Sequence, residues 1–180
     1  MMVNLNEEIL QALTEKMSSL YVSYRKRFVL SIPGASMFTP KRKNGEFTAL
    51  TDHMLTNHLL QKYAVAIYSG ESASKFLCFD VDDGSADTVH TIIDRLAALG
   101  IPQDKIYVSF SGGKGYHVEL FFDRLVYTSQ LYALYGMVIE QAKLNPRKVE
   151  FRPTYGNAIK LPLSIHGKTG NVCWFVEPET

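Results

Sequence analysis

The sequence predicts an α+β fold, and three observations lead there. An apolar run, Phe76-Leu77-Cys78-Phe79-Asp80-Val81-Asp82-Asp83, ends abruptly in carboxylates, two segments of helical period follow it, and short strand-like runs separate and close them. The first run is rich in aromatics and is closed by Gly84-Ser85, as expected of a buried central strand with an acidic tip. Side chains alternate along a strand, so Asp80 and Asp82 share a face with Phe76 and Cys78, while Leu77, Phe79 and Val81 take the other. Neighbouring carboxylates repel, an arrangement tolerated mainly where a divalent cation lies between them. A strand end dipping into solvent also explains the pair, and on this run alone it is the simpler reading.

Taken in order, the chain opens with Leu5, Ile9, Leu13, Met17 and Leu20 at helical spacing, with Asn4 and Glu7 placed as a capping pair. Two basic clusters follow, Arg25-Lys26-Arg27 between Tyr24 and Phe28, and Lys41-Arg42-Lys43 beside Asn44-Gly45. Basic residues interleaved with aromatics suit single-stranded nucleic acid, in which phosphates need charge and bases need a stacking surface; a solvated hairpin reads the same way. Thr51 or Asp52 caps a helix running to Lys62, and residues 64–68 read as a short buried strand. The strand at 76–82 leads into a helix over 85–99 closed by Gly100 and Pro102, a strand at 105–110, the loop 111–115, and a strand at 116–122. A helix over 128–143 stopped by Asn145-Pro146 and a strand at 148–152 complete the series. The order βαββαβ is that of the split βαβ, ferredoxin-like unit, with its first strand between the third and fourth and both helices on one face. Parity agrees. Leu77, Phe79, Val81, Val118, Leu120, Phe122, Val149 and Phe151 fall on the helix-covered face, and Asp80, Asp82, His117, Glu119, Glu150 and Arg152 on the opposite, open one. Acids and a histidine converging from three adjacent strands favour the metal-site reading over the strand-end reading.

At 180 residues and 46% hydrophobic, the chain is long enough to bury a sizeable core. With 19 Lys+Arg against 18 Asp+Glu its net charge is +1, so any surface for a polyanion is local. Two cysteines, Cys78 and Cys173, are too few for a zinc knuckle and sit in apolar runs, which fits buried thiols in a reducing compartment. No apolar run approaches a membrane span and the first residues lack the pattern of a signal peptide, so a cytoplasmic protein without a membrane partner is expected.

Ser111-Gly112-Gly113-Lys114-Gly115-Tyr116-His117 joins two strands with three glycines, which can turn backbone N–H groups toward an anion but serve a tight hairpin as well. Further on, Lys160-Leu161-Pro162-Leu163-Ser164-Ile165-His166-Gly167-Lys168-Thr169-Gly170 carries Lys160, His166 and Lys168, and a closing strand is expected at 171–176 with Trp174 in the core. Asp80-Val81-Asp82, Ser111 to His117 and Val149-Glu150-Phe151 resemble, in order and spacing, the three motifs of the archaeo-eukaryotic primase (AEP) superfamily. The stretch from Lys160 to Gly170 is similar to one in its bacterial and mobile-element primase-polymerase branches.

The resemblance implies an AEP-type catalytic core: an N-terminal α/β module over 1–70, an RRM-like catalytic module over 71–180, and closing strands, in one compact domain. It implies that Asp80, Asp82 and Glu150 are catalytic and hold two divalent cations, Mg²⁺ or Mn²⁺; no zinc is expected, because the sequence lacks the cysteines of the zinc module in the archaeal and eukaryotic replicative enzymes. Ser111, Gly112, Gly113, Lys114, His117, Lys160, His166 and Lys168 would bind an incoming NTP or dNTP. A DNA primase or primase-polymerase acting on a single-stranded DNA template and primer is therefore expected, with a helicase or further domains of a longer protein as additional partners. An RRM-like single-strand-binding module is the alternative, since Lys114-Gly115-Tyr116 begins like an RNP1 motif; an inactive primase relic is another.

Overall fold

A computed structural model describes residues 6–177. Helix α1 (Glu7–Tyr21) is capped by Asn6, whose side chain accepts from the Ile9 N–H at 2.8 Å; Asn4, expected in that role, lies outside the described residues, as does Leu5. Strand β1 (Phe28–Ser31), helix α2 (Asp52–Leu59, capped by Thr51) and strand β2 (Ala64–Ile67) follow. Then come β3 (Ala73–Val81), α3 (Ala86–Ala98), a 3-10 turn at Gln103–Lys105, β4 (Tyr107–Phe110), β5 (Tyr116–Tyr127), α4 (Thr128–Gln141) and β6 (Val149–Arg152). Two short strands, β7 (Ile159–Lys160) and β8 (Phe175–Val176), end the series. Among the described residues no helix is long and apolar enough to cross a membrane.

Five strands form an antiparallel sheet in the order β6-β3-β5-β4-β8, and three form a second in the order β1-β2-β7. Within the larger sheet, β3 to β6 keep the ferredoxin-like order that βαββαβ implies. The fold is α+β, as expected. Leu77, Phe79, Val81, Val118, Leu120, Val149 and Phe151 pack under α3 and α4, so the parity of three strands identifies the helix-covered face.

The opposite face is not open along its length. Phe76 and Cys78 are fully buried against Met17 and Tyr21 of α1, Leu55 of α2, Val65 and Ile67 of β2, and Ile159 and Leu161 of the C-terminal segment. The apolar stripe of α1 needs a partner surface, and burying large apolar side chains contributes about 1.5–3 kcal/mol each, so the N-terminal elements close over this half of the sheet. The end carrying Asp80, Asp82 and Glu150 stays accessible. Expectation also fails at Trp174, which is 51% exposed. Only Phe175 and Val176 pair with β4 at the sheet edge, and Cys173 takes the inward position beside Trp174.

Candidate active site

Strand register brings the acids together. Asp80 lies opposite His117 of β5 and opposite Glu150 of β6, and Asp82 follows just beyond the end of β3. One carboxylate oxygen from each of Asp80, Asp82 and Glu150 lies within 4.8 Å of the others. Burial, then Asp82, pushes the Asp80 carboxyl up from 3.8 to about 7, with Glu150 adding to the rise and Arg152 opposing it. Burial and Glu150 raise Asp82 as well. Arg152, on the same face, donates from Nη2 to Glu150 Oε2 and holds Nε 3.8 Å from Asp80 Oδ2. Mutual repulsion among hard oxygen ligands, relieved only in part by one guanidinium, is the donor set and charge balance that a divalent cation would complete. The three carboxylates fit such an ion.

Glu119 shares that parity but not that site. It is fully buried, accepts from the Tyr21 hydroxyl at 2.9 Å, and is pushed by burial to about 8, so it holds its proton at neutral pH. Cys78, His117 and Glu119 also bring ligand atoms within 4.8 Å of one another, but all three are sealed in the interior and Tyr21 already occupies one Glu119 oxygen. His117 is driven down to about 3, first by burial and then by Lys160. Its Nε2 therefore stands 3.6 Å from Asp80 Oδ1 as part of a neutral ring.

The glycine loop abuts the acid strand. A Cβ on Gly115 would stand 2.3 Å from the Val81 carbonyl oxygen, so only glycine lets the loop pass so close to the end of β3. Ser111 Oγ accepts from the N–H groups of Gly113 and Gly115 at 3.3 and 3.2 Å, which fixes the turn from within. Lys160 donates to the Ser111 carbonyl and to Cys173 Sγ, while Thr169 Oγ1 and Asn171 Nδ2 donate to the Gly112 carbonyl at 2.6 and 3.2 Å. Thr169 and Asn171 were not singled out from sequence, although Thr169 lies inside the similar stretch. Burial lowers the pKa values of Lys160 and His166.

A cleft of about 930 Å³ is lined both by Asp80, Asp82 and His117 and by Ser111, Lys160, His166 and Lys168. Ser31 of β1, the turn at Gly34-Ala35-Ser36-Met37 and Tyr68 complete it from the N-terminal elements, which sequence reasoning had not brought here. Glu150 reaches the acid cluster from outside the lining, and Gly112, Gly113 and Lys114 lie off it, Lys114 with its side chain in solvent. His58 is another residue not singled out. Fully buried, it accepts from Val65 N–H at 2.9 Å through Nδ1 and donates through Nε2 to the Pro162 carbonyl at 2.7 Å, anchoring the Lys160–Lys168 segment to α2 and β2. Of the basic clusters, Arg25 is engaged by Asp52 at 2.8 Å and by the Leu50 carbonyl at 3.2 Å. Arg42 is paired at 3.9 Å with Glu46, Lys26 and Lys43 are exposed, and Arg27 and Lys41 lie over aromatic rings.

Residues 14–180 match the family described as the archaeo-eukaryotic primase domain of TOTE conflict systems. The chain belongs to that family. No curated protein matches it. Among solved structures, the AEP domain of the cyanophage S-2L primase-polymerase (PrimPol) is similar, with a TM-score of 0.57 and 17% identity over 92% of this chain and 88% of that one. At that identity the likeness concerns the fold. AEP domains are nucleotidyltransferases that use divalent metals, and the acids of this AEP domain form a group able to hold one.

Proposed function

We propose that this AEP domain is a DNA primase or primase-polymerase, catalysing template-directed nucleotidyl transfer from NTPs or dNTPs. The single observation that carries the reading is one cleft lined by Asp80 and Asp82 of the three-carboxylate cluster together with Ser111, Lys160, His166 and Lys168, a space large enough for a nucleoside triphosphate. A 3′-hydroxyl would attack the α-phosphate, losing its proton as the new P–O bond forms, and pyrophosphate would leave. Asp80, Asp82 and Glu150 would hold two divalent cations, Mg²⁺ or Mn²⁺, which supply charge neutralisation at the reacting phosphate and polarise the attacking hydroxyl. The residues themselves bind and orient. Lys160, His166 and Lys168 receive the triphosphate, Ser111 brings the start of the glycine loop to the cleft, and neutral His117 offers a ring nitrogen beside Asp80 without bringing a second positive charge.

An RRM-like module would stack bases on the exposed face of its sheet. Here Phe76, Cys78 and Glu119 on that face are covered by the N-terminal elements, which favours the enzyme reading over the binding module. On the enzyme reading the partners are a single-stranded template, a primer and a nucleotide, with a helicase or further domains as additional candidates.

The test is primer extension on a single-stranded template with Mn²⁺ or Mg²⁺ and labelled NTPs or dNTPs, comparing the parent with Glu150→Gln. The substitution keeps the shape and removes the charge, so synthesis should fall steeply while strand affinity changes little. A variant that extends at the parental rate contradicts the assignment of Glu150, and a parent without cation-dependent nucleotide binding overturns the function.

A further inference from the structure

If the sheet face is closed to nucleic acid, a template strand must run elsewhere, and the N-terminal elements present a surface of the right chemistry beside the cleft. Tyr68, which lines the cleft, has the Arg27 guanidinium 4.1 Å from its ring centroid. The same guanidinium lies 4.5 Å from the ring of Tyr155 and 5.9 Å from that of Phe47, and Lys41 Nζ lies 5.3 Å from Phe47. Tyr24 closes on Tyr155 edge-on at 6.0 Å. Cations and rings are thus linked in one continuous strip that starts inside the cleft and ends on the surface.

Its outer members are not packed away. Phe47 is 43% exposed and Tyr155 42%, and Met37 and Phe38 on the neighbouring turn are 65% and 45% exposed. Exposed large apolar side chains gathered beside a cleft mark a binding surface. The charges are not neutralised: Arg27 Nη2 donates to the Tyr155 carbonyl, but among the described residues neither Arg27 nor Lys41 has a carboxylate within 4.0 Å, and Arg27 Nε is buried without a hydrogen-bond partner. In contrast, Arg25 and Arg42 of the same two basic clusters are paired with Asp52 and Glu46.

We propose that the strip Tyr68–Arg27–Tyr155–Phe47–Lys41 is the seat of the single-stranded template, stacking its bases on Tyr155 and Phe47 and meeting its phosphates with Arg27 and Lys41. Rings accept any base and cations accept any phosphate, which is what a template of arbitrary sequence requires. A mononucleotide does not account for it, because the phosphate-binding side chains lie in the cleft at Lys160, His166 and Lys168 while the strip continues outward past the cleft wall. The strand's identity as a template rests on the nucleotidyl-transfer reading; the strip's affinity for single strands does not.

The experiment is fluorescence anisotropy of a labelled oligothymidylate in EDTA, so that no cation and no synthesis are involved, with the parent, Phe47→Ala, Tyr155→Ala and Tyr155→Trp. Each alanine variant should raise the dissociation constant at least about fivefold, corresponding to about 1 kcal/mol per stacked base, and Tyr155→Trp should keep parental affinity. Phe47, on an exposed turn, keeps the test decisive if Tyr155→Ala proves misfolded. Parental affinity in Phe47→Ala and in any folded Tyr155→Ala overturns the proposal. So does a loss confined to Mn²⁺-dependent NTP binding, which would make the strip a seat for the incoming base. A parent that extends primers while these variants bind single strands normally leaves the enzyme reading intact and removes the strip. Loss of oligonucleotide binding in the variants of a parent that binds no nucleotide does the reverse.

Discussion

Replacing Asp80 with Asn should stabilise the cation-free protein by an amount that depends on pH. Burial and Asp82 hold the Asp80 carboxyl at about 7 in the folded state against an ordinary 3.8. A carboxyl whose pKa rises on folding binds its proton more tightly in the native state. Its contribution to stability is therefore complete below 3.8 and is lost as the pH rises through about 7. At about 1.4 kcal/mol per pH unit the loss is on the order of 4 kcal/mol at pH 8, and under about 2 kcal/mol at pH 5. Asn escapes that loss but gives up the attraction of Arg152, 3.8 Å from Asp80 Oδ2, which offsets part of the gain. With about 2–4 °C per kcal/mol for a domain of this size, thermal melts in EDTA should show Asp80→Asn roughly 5 to 10 °C above the parent at pH 8, and a clearly smaller difference at pH 5. Saturating Mn²⁺ should raise the parent's midpoint and leave the variant's nearly unchanged, while primer extension by the variant is abolished. Equal increments at both pH values, or no increment at pH 8, would refute the reasoning.

Two buried features yield further expectations. Glu119→Gln should melt within about 1 kcal/mol of the parent and keep synthesis, because the amide oxygen can still accept from Tyr21, whereas Glu119→Leu leaves that hydroxyl buried and unpaired at a cost of about 1–3 kcal/mol. Equal destabilisation of both by urea titration would mean that the native carboxyl is ionised. Gly115→Ala would set a methyl 2.3 Å from the Val81 carbonyl oxygen, so the loop and the tip of β3 must separate. The expected result is a loss of roughly 1–3 kcal/mol together with weaker Mn²⁺-dependent nucleotide binding, and parental values of both would show that the loop does not need this close approach.

The central sheet and its acids were legible because strand parity is a local property: alternation along 76–82 and 116–122 assigns each side chain to a face, and the order of elements dictates which strands are neighbours. Parity says which side a residue takes, not what lies upon it. Glu119 was therefore expected on the open face, although α1 and its Tyr21 cover it. The amphipathic spacing of Leu13 and Met17 showed that α1 had to cover something, but a single helix pattern does not name its partner surface. Tyr68 and Tyr155 escaped notice for a related reason. Neither belongs to a basic cluster in sequence, and only the packing of the N-terminal elements brings both rings to Arg27. Trp174 was misplaced because an aromatic in a strand-like run was taken as core, while the strand that forms there is two residues long and lies at an edge.

Strand β7 imposes an order of assembly on the nascent chain. Ile159 and Lys160 pair with β2, His58 waits for the Pro162 carbonyl, and Tyr63 offers its carbonyl to Ser164 Oγ. The N-terminal elements thus leave the ribosome with a strand edge and a buried histidine unsatisfied until residues 159–164 have been made. Those same residues bring Lys160 to the cleft, so the basic part of its lining and the completed N-terminal sheet arrive in one step. A chain interrupted before residue 159 carries every carboxylate of the acid cluster but neither its basic wall nor a finished core. The cleft beside the acids is thus completed only once synthesis has passed the point at which the fold can close.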